Sequence, residues 1–137
     1  MTQLAGGDKT EGRKFLILTA AFNRWITERL QVAAVAELKA RGAADGDIDT
    51  AWVPGSFELA GAAKVAAAGG RYAGIVCLGA ILKGETSHDV HLATATASAI
   101  AQAGLDTGIP VTLGVITADT FEQAEARSQP SCPASPA

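Results

Sequence analysis

Four short apolar runs, each followed by a segment long enough to be a helix, constrain this chain more than anything else in it. The runs are "FLILTA" (15–20), "IDTAWV" (48–53), "GIVCLGA" (74–80) and "PVTLGVI" (110–116). The first and third are continuous apolar runs, the mark of a strand buried on both faces, and the second and fourth read as further strands. Strands that alternate with helices need crossover connections, and these make a parallel sheet with helices on both faces. The predicted class is therefore α/β with four parallel strands and right-handed crossovers.

The intervening segments carry their own punctuation. In "FNRWITERLQVAAVAELKARG" the apolar positions Ile26, Leu30, Ala34 and Leu38 recur every four residues, and Gly42 closes the stretch. That is a helix with a glycine stop. "SFELAGAAKVAAAGG" reads as a second helix, with Ser56 as candidate N-cap and a double glycine at its end. "HDVHLATATASAIAQAG" is a third, and "DTFEQAEARS" begins a fourth. Pro110 stands at the first position of its strand, where a missing N–H is tolerated. Residues 1–13 are expected to be a flexible arm, residues 14–128 one domain, and residues 129–137 a disordered, Pro/Ser-rich tail. Pro130, Pro133 and Pro136 deny that tail helical geometry.

With 137 residues, 48% of them hydrophobic, the chain can bury a core. The net charge of −3 and the lack of a basic stripe argue against nucleic acid as a partner. No apolar run approaches the roughly 20 residues of a membrane span, and the N-terminus lacks a signal-peptide apolar region. Cys77 and Cys132 belong to no CxxC, which argues against a disulfide framework or zinc site and fits a cytoplasmic setting.

Ligands of open parallel sheets bind at the carboxyl ends of the strands. Each strand here is followed at that end by something unusual: Phe22-Asn23, then "PGSFE", then "LKGETSH", then "TADT". Taken singly, Phe22 and Phe57 read as core, Asn23 as a cap and the glycines as corners. Four such stretches on one edge point to a site. Gly84 lets a backbone approach a ligand, Thr86 offers a hydroxyl, and the helix start that follows favours an anion. Lys83 adds positive charge and Glu85 opposes it. His88 opens that helix, where the positive end of the helix dipole disfavours an imidazolium and suits the ring to accept a proton. A metal reading of His88, Asp89 and His91 has no further ligand cluster behind it.

"FNRWITERL", "VPGSFELA", "LGAILKGETSH" and "GVITADTFEQAEAR" occur in this order, and over residues 14–128 the chain resembles the lumazine synthase family of riboflavin biosynthesis. The resemblance implies a flavodoxin-like three-layer α/β/α fold and condensation of 5-amino-6-(D-ribitylamino)uracil with 3,4-dihydroxy-2-butanone 4-phosphate. It implies no metal and no organic cofactor. It also implies pentamers, in some members a 60-subunit icosahedral shell, with sites between neighbouring subunits and riboflavin synthase as a further partner. By position, Phe22 would stack on the pyrimidine, with Asn23 beside it. Ser56, Phe57 and Glu58 would hold the ribityl chain. Ala80, Ile81 and Leu82 would line the heterocycle pocket, partly through backbone groups. Gly84, Glu85 and Thr86 would hold the phosphate, and His88 would transfer protons. Leu113 and Arg127 would arrive from the adjacent subunit, with Arg127 on the phosphate.

Three departures from the family pattern stand out. "DVH" (89–91) replaces an aromatic-acid-aromatic run, and Leu113 replaces a phenylalanine. After Arg127 the family has a glycine- and lysine-containing loop and a final helix, where this sequence reads "SQPSCPASPA". These features set the alternatives: a catalytically impaired, shell-forming relative or truncated product of the family, or a binding module for flavin-like or phosphorylated ligands. They also carry the expectation of a marginal isolated subunit with reduced activity.

Overall fold

The computed structural model describes residues 1–84 and 87–129. The elements run β1 (Phe15–Ala20), α1 (Arg24–Ala40), a 3₁₀ turn (Asp45–Asp47), β2 (Ile48–Val53), a 3₁₀ turn (Ser56–Glu58), α2 (Leu59–Ala68), β3 (Gly74–Leu82), α3 (His88–Thr107), β4 (Val111–Ala118) and α4 (Phe121–Arg127). The four strands form one parallel sheet in the order β2-β1-β3-β4. This is the start of the flavodoxin-like order, and its topological switch point lies between β1 and β3.

Alternation along the strands divides the core in two. Leu16, Leu18, Ala20, Ile75 and Cys77 face α2 and α3, and pack on Leu59, Ala63, Ala67, Ile100 and Ala103. On the opposite face Ala80 and Ala118 meet Ile26 of α1 and Ala124 of α4, with Trp25, Leu30, Leu82 and Ile116 around them. Trp25 and Phe121 stack with centroids 3.9 Å apart, which ties α4 to α1. Fully burying an aliphatic side chain such as that of Ile17, Leu59 or Ile100 stabilises the fold by about 1.5–3 kcal/mol each. Burial also pushes the Cys77 thiol up to about 12, so it behaves as a small apolar side chain.

Several local expectations need correction. β3 runs two residues further, to Leu82. β4 starts at Val111 and ends at Ala118, and Pro110 precedes it with its carbonyl accepting from the Ile75 N–H. Ser56 does not cap α2 with its side chain; it lies inside the 3₁₀ turn that feeds the helix, and Gly55 precedes that turn in extended backbone. Of the apolar stripe of α1, Ile26 is fully buried and Leu30, Ala34 and Leu38 half-buried. Before β1, Thr10 is buried: its N–H donates to the Arg41 carbonyl at 3.1 Å and its hydroxyl to the Leu38 carbonyl at 3.0 Å. The expectations for Glu85, Thr86 and residues 130–137, with Cys132, lie outside the described residues. Among the described residues, no helix is long and apolar enough to cross a membrane.

Candidate functional site

The switch point opens into a cleft of about 800 Å³. Phe22 and Asn23 reach it from the end of β1, and Pro54 to Glu58 from the end of β2. Ala80, Ile81 and Leu82 reach it from the end of β3, Gly84 from the following loop, and His88, Asp89 and Leu92 from the first turns of α3. A crevice at this place in an open parallel sheet is where such folds bind small molecules.

Strand lengths create the opening. β1 pairs with β3 only as far as Thr19 and Leu78, while β3 continues to Leu82 beside β4. The last turn of β3 therefore faces the cleft on its β1 side. Phe22 and Phe57 stand at the two walls and are 72% and 71% exposed, so neither belongs to the core. An aromatic ring left this open at a concave site is a surface for a flat ligand to stack on.

Close approach of backbones sets the second wall. Ser56 is only 7% exposed. Its hydroxyl sits where a Cβ on Gly79 would fall, 2.6 Å away. Glycine at 79 thus lets the 3₁₀ turn settle onto the sheet, with Phe57 and Glu58 exposed beside the cleft.

One side of the cleft is the start of α3, a 20-residue helix with Ser87 at its N-cap. The first N–H groups of such a helix have no intrahelical acceptor and point toward any anion placed before them. His88 lies in this first turn and lines the cleft. Asp89 is in the same turn, half-buried, and opposes part of the positive end of the helix. It lines the cleft although the sequence offered it only within a metal reading, and so does Leu92, which its i+4 spacing from His88 could have flagged. His91 is exposed and lines neither this cleft nor the next. Among the described residues, no group of three or more His, Cys, Asp or Glu could hold a metal ion.

Leu113 and Arg127 are not at this cleft. Leu113, on β4, is 53% exposed. Arg127 lines a second, smaller hollow of about 440 Å³ with Asp89, Thr94, Thr117, Asp119 and Gln123. There its guanidinium donates to the Thr117 carbonyl. α4 is held for this by a capping arrangement: the Thr120 hydroxyl accepts from the Gln123 N–H, and the Gln123 side chain accepts from the Asp119 N–H.

A doubly wound parallel sheet with a part-apolar cleft at its switch point defines a small-molecule-binding α/β protein. More particularly, the family model of 6,7-dimethyl-8-ribityllumazine synthase matches residues 12–133, and the chain belongs to that family.

Proposed function

We propose that the chain is a lumazine synthase, a transferase that condenses 5-amino-6-(D-ribitylamino)uracil with 3,4-dihydroxy-2-butanone 4-phosphate. The observation that carries this reading is the convergence of Phe22, the 56–58 turn, the end of β3, Gly84 and His88 on one cleft, in a chain of this family. In this reading the pyrimidine stacks on Phe22 and its ribityl chain runs along Ser56, Phe57 and Glu58. The butanone phosphate sits before the start of α3, at Gly84 with Glu85 and Thr86.

The chemistry asks for positioning first. An amine attacks a ketone, water and phosphate leave, and a ring closes; holding two substrates in register supplies much of that barrier. His88, in the first turn of α3, moves the protons, an effect of about 10²–10⁴-fold for a well-placed group. The backbone N–H groups of α3 and a guanidinium stabilise the departing phosphate. Arg127 of the same chain lines the other hollow, so the guanidinium in this reading is that of a neighbouring copy, which also brings Leu113 to the pyrimidine side. Self-association into pentamers is part of the proposal for that reason.

Incubation with both substrates is the test, followed by absorbance and fluorescence of the lumazine product. Product formation that needs both substrates supports the reading. Binding of the aminouracil without product would assign the cleft to a non-catalytic relative, and no binding of either substrate would overturn both readings.

A further inference from the structure

Asn23 is the only non-glycine residue at positive φ among the described residues, with φ 61° and ψ 43°. It occupies the N-cap position of α1, and its carbonyl accepts from the N–H groups of Ile26 and Thr27. An ordinary N-cap has extended backbone and turns its side chain onto the first turn of its helix. Asn23 makes no such side-chain cap. Its amide nitrogen instead donates to the Ala80 carbonyl at 2.9 Å, across the switch point to a residue 57 positions away. β3 has outrun β1 at that point, so Asn23 supplies a hydrogen bond that no residue of β1 can.

We propose that Asn23 is a positioning residue, a clip that fixes the Phe22 loop to the free edge of β3 and so sets the width of the cleft. The loop is held on its other side as well, because the Ala21 N–H donates to the Val53 carbonyl and the Phe22 N–H to the Pro54 carbonyl. Phe22 is thereby presented between two anchors, one at β2 and one at β3. The residue type follows from two joint demands. Left-handed backbone favours glycine, then asparagine and aspartate. Reaching a carbonyl oxygen demands a donor, which glycine lacks and an ionised aspartate replaces with a repelling acceptor. Asparagine is the one side chain of the three that meets both.

The test uses the full chain with Asn23→Asp and Asn23→Gly, and reads residue-resolved amide hydrogen exchange together with KM for each substrate. In Asn23→Asp the Ala21 and Phe22 amides exchange about tenfold faster, while Ile17 and Leu18 in the middle of β1 keep their rates. Asn23→Gly, which keeps the backbone turn without the clip or the repulsion, moves the same amides by less. The kinetic arm alone rests on the synthase reading: KM for the aminouracil rises about tenfold and KM for the butanone phosphate changes less than about twofold. Unchanged exchange at Ala21 and Phe22 in both variants would overturn the proposal. Acceleration shared equally by Ile17 and Leu18 would overturn it too, since Asn23 would then only stabilise the fold. If Asn23→Asp does not fold, Asn23→Gly decides, its backbone being compatible with the turn. A wild-type chain without turnover would sink the synthase reading and leave the exchange result to judge the clip.

Discussion

Two hollows of this molecule share Ile81 and Asp89 as a common wall, yet they are built in opposite ways. The larger is assembled from the carboxyl ends of three strands and the start of a long helix, with exposed phenylalanines on its walls and His88 at its rim. The smaller lies between α3 and the short α4, is polar, and holds Arg127 against a carbonyl of its own chain. In the proposed reading the first takes a flat heterocycle with a polyol chain. The second presents cationic chemistry away from it. One chain thus carries the exposed phenylalanines and His88 in one place and Arg127 in another, and in the proposed reaction a second copy has to bring them together.

The largest expected effect belongs to the first hollow. His88→Ala should lower kcat by about ten- to a few hundredfold, because positioning survives and only proton transfer is lost. Steady-state kinetics with chemistry rate-limiting checks this, and an unchanged kcat would remove His88 from the reaction.

Arg127 tests whether the second hollow serves the first. Losing a charged hydrogen bond of about 1.5–3 kcal/mol should raise KM for the butanone phosphate by about ten- to a hundredfold, with little change for the aminouracil. Arg127→Ala and His88→Ala subunits, each weak alone, should partly restore activity when co-assembled. Equal KM effects on both substrates, or no rescue, would leave Arg127 as a clamp on β4.

Two glycines separate stability from site geometry. A Cβ on Gly114 would meet Leu78 Cδ2 at 2.7 Å and the Cys77 carbonyl oxygen at 2.9 Å. Backbone cannot rotate aside, so Gly114→Ala should cost about 1–3 kcal/mol in chemical denaturation. Gly79→Ala meets the Ser56 hydroxyl, which can swing away, and should cost less, about 1 kcal/mol. Its signature should be a raised KM for the aminouracil as the 56–58 turn lifts. If Gly114→Ala alters that KM more than Gly79→Ala does, the described wall is wrong.

The smallest effect lies far from both hollows. The Tyr72 hydroxyl donates to Asp49 at 2.6 Å and holds its carboxyl below the ordinary 3.8, with Lys14 and Arg71 adding to this. A carboxyl depressed in the folded state contributes stability above its unfolded value and loses it as pH falls through the folded one. Tyr72→Phe should therefore flatten the acid limb of the stability curve below about pH 4 and leave kcat unchanged. A curve of unaltered shape would dissociate Asp49 from acid unfolding.

Much of the architecture was legible in the residues. Strand β1 was read to its ends because a buried parallel strand is continuously apolar and is cut off sharply by what flanks it; β2, an edge strand with no fully buried residue, was read to its end because Pro54-Gly55 closes it. The end of β3 was not, since "IL" at 81–82 could equally have begun a loop; its pairing with Thr117 and Ala118 decided it. Phe22 and Phe57 show the same limit. Their type alone says core, and only the carboxyl-end rule of parallel sheets pointed them toward a site.

By itself the sequence determined the class of fold and the edge of the sheet where a ligand could bind, because these follow from periodicity and from chemistry clustered next to strand ends; most residues of the first cleft came with the family resemblance. Tertiary structure alone decided the rest. The amide of Asn23 could not be assigned to Ala80, nor the hydroxyl of Ser56 to the space above Gly79, from any local pattern. Both contacts depend on which strands lie side by side and on how far one outruns the other. That is a property of the assembled sheet, since partners far apart in the chain become neighbours only when the burial of all four strands is satisfied at once.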